Sequence, residues 1–155
     1  MKNLFKKKHL NFKKKKSQVY KKGFREISYK DGSKYKGYFR NGEFHGKGVY
    51  IFKNGGRHEG TFNKGLPEGY GIRIFSNGDR YEGGFYQGKF HGKGIWLLNN
   101  GLLYIGGFYK DKFHGKGIIF NSKTVREYRD NFLNGKSTKK GVLILKHGKE
   151  IYKNN

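Results

Sequence analysis

A tyrosine, a glycine and a phenylalanine at alternating positions return about every 23 residues, and a chain that repeats at that spacing builds a stack rather than a globule. The clearest copy runs from Tyr81 through Gly83, Phe85, Gly88, His91 and Gly92 to Gly94. One period earlier stand His58, Gly60, Phe62, Gly65, Glu68, Gly69 and Gly71; two periods earlier, Tyr35, Gly37, Phe39, Gly42, His45, Gly46 and Gly48. One period later stand Tyr104, Gly106, Phe108, Asp111, His114, Gly115 and Gly117. A worn fifth unit, with Tyr128, Phe132, Gly135 and Gly141, fits only after one inserted residue, and Thr138-Lys139 replaces its His-Gly. Gly23 and Gly32 mark a half unit upstream. Worn ends are expected, because a terminal repeat faces water instead of another repeat.

Within a unit, Tyr81, Gly83 and Phe85 alternate with Glu82, Gly84 and Tyr86, which is the period of a strand. A turn at Gln87 to His91 and a second strand from about Gly92 to Leu98 complete a hairpin. Asn54-Gly55, Asn77-Gly78 and Asn100-Gly101 then lead into the next unit, supplying residues that accept positive φ. The pattern predicts antiparallel pairing within 35–52, 58–75, 81–98 and 104–120, with no helix-period segment. The expected organisation is a basic tail over 1–19, an array over 20–145 and a C-terminal tail over 146–155. The array divides into a half repeat at 20–32, four full repeats at 35–124 and a degenerate repeat at 128–145.

Composition fits this architecture. Only 34% of residues are hydrophobic, too few for a thick aliphatic core, while 17% are aromatic and carry the burial. Cysteine is absent, so disulfides and thiolate metal sites are excluded. No apolar run is long enough to span a membrane as a helix. The formal net charge of +24 calls for an acidic partner surface.

The motif Tyr-x-Gly-x-Phe-x-x-Gly-x-x-His-Gly-x-Gly, in phase four times, resembles that of the MORN (membrane occupation and recognition nexus) repeat family, from about Tyr20 to Leu145. The resemblance implies an all-β fold: an elongated single-layer antiparallel sheet of stacked hairpins, used as a scaffold in cilia, cytoskeletal rings and membrane junctions or as an accessory module. Departures are His58 for tyrosine, Glu68 for histidine and Asp111 for glycine.

Stacked two-stranded units advance ~10 Å each, so ten to eleven strands predict a rod of ~50 Å. The same advance places His91 and His114 ~10 Å apart and His45 ~20 Å from His91. A zinc–imidazole bond is only ~2.0–2.1 Å long, so no two of them share an ion, and each histidine is expected to cap a turn by hydrogen bonding. The acidic residues are scattered singly, no nucleophile–base pair stands out, and no phosphate-loop motif occurs. The chain reads as a non-enzyme without metal or cofactor.

Two partner-facing sets are expected. Tyr35, Phe39, Phe62, Tyr81, Phe85, Tyr104 and Phe108 form an aromatic ladder that packs internally or holds a partner's apolar segment. Lys6, Lys7, Lys8, Lys13, Lys14, Lys15 and Lys16 form an anchor for an acidic surface, with no acid before Glu26. The leading expectation is a structural scaffold in a large eukaryotic assembly: the ciliary axoneme or another microtubule cytoskeleton, with tubulin or axonemal proteins as partners. A peripheral linker on anionic phospholipid and an accessory subunit of a ribosome or other RNA assembly are the alternatives, nucleic acid ranking behind the first two. Mitochondrial targeting ranks lower, since the acid-free N-terminus has no arginine before Arg25 and only Ser17 as serine.

Overall fold

The computed structural model describes residues 22–124, 126–138, 141–145 and 148–150, with the side chains of 145 and 148–150 left aside. The expected lysine anchor and the start of the half repeat lie outside these residues. Thirteen strands are found among them and no helix. They are β1 (Lys22–Ser28), β2 (Lys34–Arg40), β3 (Glu43–Ile51), β4 (Arg57–Asn63), β5 (Leu66–Ile74), β6 (Arg80–Tyr86) and β7 (Lys89–Leu97). There follow β8 (Leu102–Tyr109), β9 (Lys112–Asn121), β10 (Arg126–Leu133), β11 (Lys136–Ser137), β12 (Val142–Leu145) and β13 (Gly148–Glu150). They form one antiparallel sheet in sequence order, with β11 pairing only to β10. The four expected hairpins are all present. The strand count exceeds the expectation because the worn end adds two very short strands, one of which, β13, carries the sheet beyond the expected end at 145.

Two kinds of turn alternate. Inside each hairpin, two residues with positive φ make the connection: Asn41-Gly42, Lys64-Gly65, Gln87-Gly88, Lys110-Asp111 and Asn134-Gly135. This is the type I′ geometry that matches the twist of the flanking strands. It is tighter than the expected turn from Gln87 to His91, so the second strand resumes at Lys89. Between hairpins the chain bends at a residue such as Gly55, whose N–H donates to the Phe52 carbonyl at 2.9 Å, while Asn54 Oδ1 accepts the Gly56 N–H at 3.1 Å. Each hairpin tip is also tied to the one before it. The N–H groups of Gly65, Gly88, Asp111 and Gly135 donate to the carbonyls of Phe44, Pro67, Phe90 and Phe113.

A flat hairpin would hold Tyr35 and Phe39 ~13 Å apart along the strand. Their ring centroids lie at 5.2 Å, so the hairpin bends sharply. The bend sits where the pairing register slips, between Gly37 and Phe39, and recurs at Gly60/Phe62, Gly83/Phe85 and Gly106/Phe108. An extra residue in one strand kinks it and strengthens its twist. A row of glycines crosses the sheet beside these kinks: Gly37, Gly48, Gly60, Gly71, Gly83, Gly94, Gly106 and Gly117 are successive cross-strand partners. Tyrosine rings lie flat on that row. A Cβ on Gly94 would come within 2.6 Å of the Tyr81 ring, and one on Gly37 within 2.5 Å of the Tyr35 hydroxyl. The hydroxyls of Tyr35, Tyr81 and Tyr104 donate to the carbonyls of the kinked residues Tyr38, Gly84 and Gly107, at 3.0, 2.8 and 2.9 Å. Those carbonyls are displaced from the regular ladder by the bulge, and the tyrosine supplies their partner.

Candidate functional site

Strand parity divides the side chains between two faces. On one face the bent tips fold over and close an aromatic core. Tyr35, Phe39, Phe62, Tyr81, Phe85, Tyr104 and Phe108 are all buried, none more than 4% exposed. Each tyrosine stacks on the phenylalanine of its own second strand, Tyr81 on Phe90 and Tyr104 on Phe113 at 3.6 Å, with edge-on rings around the pair. The expectation that this ladder contacts a partner is therefore corrected. Its rings are consumed by internal packing, because bending the hairpins covers the face that a flat sheet would leave open.

The core is split. One cluster gathers around Tyr35 and Phe44, the other around Tyr81 through Phe132. Between them the second repeat supplies His58, Pro67 and Arg73 where the first has Tyr35, Phe44 and Tyr50. The Arg73 guanidinium is buried 5.1 Å from the Phe52 ring centre and 5.6 Å from that of Phe85. Burial holds its pKa down to about 10, countered by the Asp111 carboxylate, so it stays charged at neutral pH. Asp111 replaces a turn glycine, and its carboxylate accepts the Phe90 N–H at 2.8 Å. The His58 ring sits edge-on to Phe62 and Phe85. Burial, reinforced by Arg73, pushes its pKa down to about 2.

His58 makes the array acid-sensitive in a defined window. In the unfolded chain His58 takes up a proton near pH 6.5; in the fold it stays neutral. The unfolded state then binds more protons, so stability is fully present above about pH 6.5 and falls as pH drops below it, by up to ~1.4 kcal/mol per pH unit. Replacing His58→Tyr, the residue at this place in the other full repeats, is expected to flatten that slope between pH 6.5 and 5. Circular dichroism melts of both proteins across that range check it; parallel slopes would remove His58 as the cause.

The other face is open and changes character along the sheet. From β1 to β6 its two rows alternate charged with aliphatic residues, Glu26, Lys36, Val49, Glu59, Ile72 and Glu82 along one and Lys34, Ile51, Arg57, Ile74 and Arg80 along the other. Glu82 is engaged by Arg80 and by the Tyr70 hydroxyl, and its pKa is lowered by those two hydrogen bonds, Tyr70 first. From β7 to β9 the same rows turn aliphatic. Ile95, Ile105 and Ile118 are successive cross-strand partners, and so are Leu97, Leu103 and Phe120. Ile95, Leu97 and Ile105 are 41 to 44% exposed. Next to the isoleucine row lies a groove of about 510 Å³ bordered by Tyr70, Glu82, Lys93, His114 and Lys116 over a glycine floor.

His91 and His114 belong to this face. The rings of Tyr86, His91, Tyr109 and His114 follow one another at 5.5, 5.3 and 5.6 Å. The Nδ1 atoms of His91 and His114 are buried and take no hydrogen bond among the described residues. The expected capping hydrogen bond is thus replaced by ring packing between tyrosines. Tyr109 stands between His91 and His114, which keeps the two apart as the repeat spacing required. No group of three or more metal-ligating residues converges among the described residues.

The family model described as MORN repeat matches residues 35–57, 58–80, 81–102 and 104–122, more than half of the chain and in phase with the hairpins. The chain belongs to the MORN repeat family. MORN repeats serve protein–protein or membrane binding, and such all-β repeat folds are typically non-enzymatic. Among curated proteins no match is found. Among solved structures, the SAS-4 (dCPAP) TCP domain of Drosophila melanogaster, in complex with a proline-rich motif of Ana2 (dSTIL), is similar at 16% identity with a TM-score of 0.43. That match covers 84% of this chain and 90% of the other. Likeness at that level carries no functional argument.

The MORN motif accounts for the closed face and not for the open one. Its tyrosine, glycines and phenylalanine make the kink, the flat ring and the core. The aliphatic rows fall on positions that the motif leaves free, and the sequence reading missed them. The signal that would have found them is Leu103 and Ile105, which stand where the preceding units carry Arg80 and Glu82, beside Ile95 and Leu97 at positions that are aliphatic in those units too.

Proposed function

We propose that this MORN array is a non-catalytic scaffold that holds a partner protein on the open face of β7–β9, within a large eukaryotic assembly such as the ciliary axoneme or another microtubule-based structure. The observation that carries the reading is the exposed aliphatic surface of Ile95, Leu97 and Ile105, with Leu103, Ile118 and Phe120 beside it, on a face the fold does not use for its core. Contiguous exposed apolar surface of this kind marks interaction sites. The microtubule setting rests on the +24 charge, which suits an acidic lattice. In this reading Lys6, Lys7, Lys8, Lys13, Lys14, Lys15 and Lys16 add an electrostatic anchor to the docking face.

The double variant Ile95→Thr/Ile105→Thr keeps β-branching and removes apolar surface. Its melting temperature is expected to stay close to that of the parent, while the tagged protein is lost from its site in ciliated cells. Deletion of residues 1–19 is expected to leave the melt unchanged and to lower the salt dependence of microtubule co-sedimentation. Unchanged localisation of the double variant would refute the docking face, and an unchanged salt slope would refute the anchor.

A further inference from the structure

We infer that the segment held on β6–β9 is an amphipathic helix with an acidic flank, supplied by a partner protein and lying across the strands; this rests on the reading of the open face as the docking surface. The aliphatic rows Ile95–Ile105–Ile118 and Leu97–Leu103–Phe120 run across three neighbouring strands. With strands ~4.8 Å apart, each row is ~10 Å long, and the two rows are ~7 Å apart along the strands. A helix repeats its apolar stripe from residue i to i+7 in ~10.5 Å and presents a stripe about that wide. An extended segment crossing the open face would press its own N–H and C=O groups onto aliphatic side chains. No sheet edge is there to pair them, whereas a helix satisfies them internally.

Charge selects the flank. On the side away from the leucine row, Lys93 stands opposite Gly107 and Lys116 precedes Gly117, the partner of Gly106, so the two lysines lie two strands and ~10 Å apart. That distance matches carboxylates at i and i+7 of the helix. Glu82, the acid at the groove, is already engaged by Arg80 and Tyr70, so it leaves the lysines to the incoming helix. A second copy of the chain would bring +24 against +24.

The test uses the full chain and fluorescein-labelled peptides of about 18 residues built from leucine and glutamate. One carries leucine at helical spacing, a second is a scramble of the same composition, and a third replaces every glutamate with lysine. In fluorescence anisotropy, the patterned leucine–glutamate peptide is expected to bind roughly tenfold more tightly than either other peptide. Lys93→Glu/Lys116→Glu is expected to abolish that preference and to favour the lysine peptide. The scramble matters because the lysine tail would attract it equally. Equal binding of patterned and scrambled peptides, indifference to the charge reversal, or preference for phosphatidylserine vesicles that is lost in Ile95→Thr/Ile105→Thr would each overturn the acidic helix. If the helix is overturned while that double variant still leaves its cellular site, the docking face stands with an occupant of other chemistry; if the variant stays in place, both readings fall.

Discussion

Replacing Phe90 with alanine is expected to destabilise the array by about 3–5 kcal/mol, the range for truncating a buried aromatic. Phe90 lies flat on Tyr81 at 3.6 Å and is met edge-on by Phe85, Trp96 and Phe108. The hole cannot close by collapse, because Tyr81 is pinned on the glycine row and its hydroxyl is bonded to the Gly84 carbonyl. Cavity and transfer losses therefore add. Denaturant titration followed by circular dichroism measures the effect, with Tyr86→Ala as the reference. Tyr86 is 46% exposed and its loss is expected to change stability by less than about 1 kcal/mol. Comparable losses for the two variants would contradict the packing described for the closed face.

The second large effect is expected at Gly94. A single methyl group there meets the Tyr81 ring at 2.6 Å, in a core where the ring has nowhere to go. Gly94→Ala should cost about 3 kcal/mol, at the upper end of ordinary overpacking. Gly92 makes the informative comparison. It has φ of +71°, and a methyl group added to it would find nothing within 4 Å, so alanine there meets backbone strain alone, about 1–2 kcal/mol. The two glycines of one His-Gly-x-Gly motif are thus present for different reasons, and the order Gly94 above Gly92 tests that distinction. Equal losses would mean that the ring does not lie on the glycine row as described.

The hairpins, their pairing and the aromatic ladder were legible in the sequence because each is encoded over a few residues and then repeated. Tyr81, Gly83 and Phe85 announce a strand, and Asn77-Gly78 a corner, without reference to the rest of the chain. The sharp bend was not legible. It follows from a register slip between two strands, and neither strand shows it alone. For that reason the ladder residues, correctly placed on one face, were also expected to reach a partner. The turn at Gln87-Gly88 is shorter than its sequence suggests because Lys89 and Phe90 look like loop on one side and strand on the other. The docking rows escaped the sequence reading for a further reason. Comparing equivalent positions sets Ile95 beside Ile72 and Ile118, and Ile105 beside Glu82, whereas in space Ile95 pairs with Ile105. A repeat comparison matches a residue with its counterparts; a sheet joins it to its neighbours.

The kink at each glycine row has an evolutionary consequence. It closes one face of every hairpin with the hairpin's own rings, so folding draws on one set of alternate positions and leaves the other set without duties in the core. Inheritance can then treat the two sets separately. A lineage can rewrite the outward residues of one strand, as Leu103 and Ile105 stand where the preceding units carry Arg80 and Glu82, and the closed face keeps the structure while that happens. New binding preferences arise one strand at a time, without passing through an unfolded ancestor.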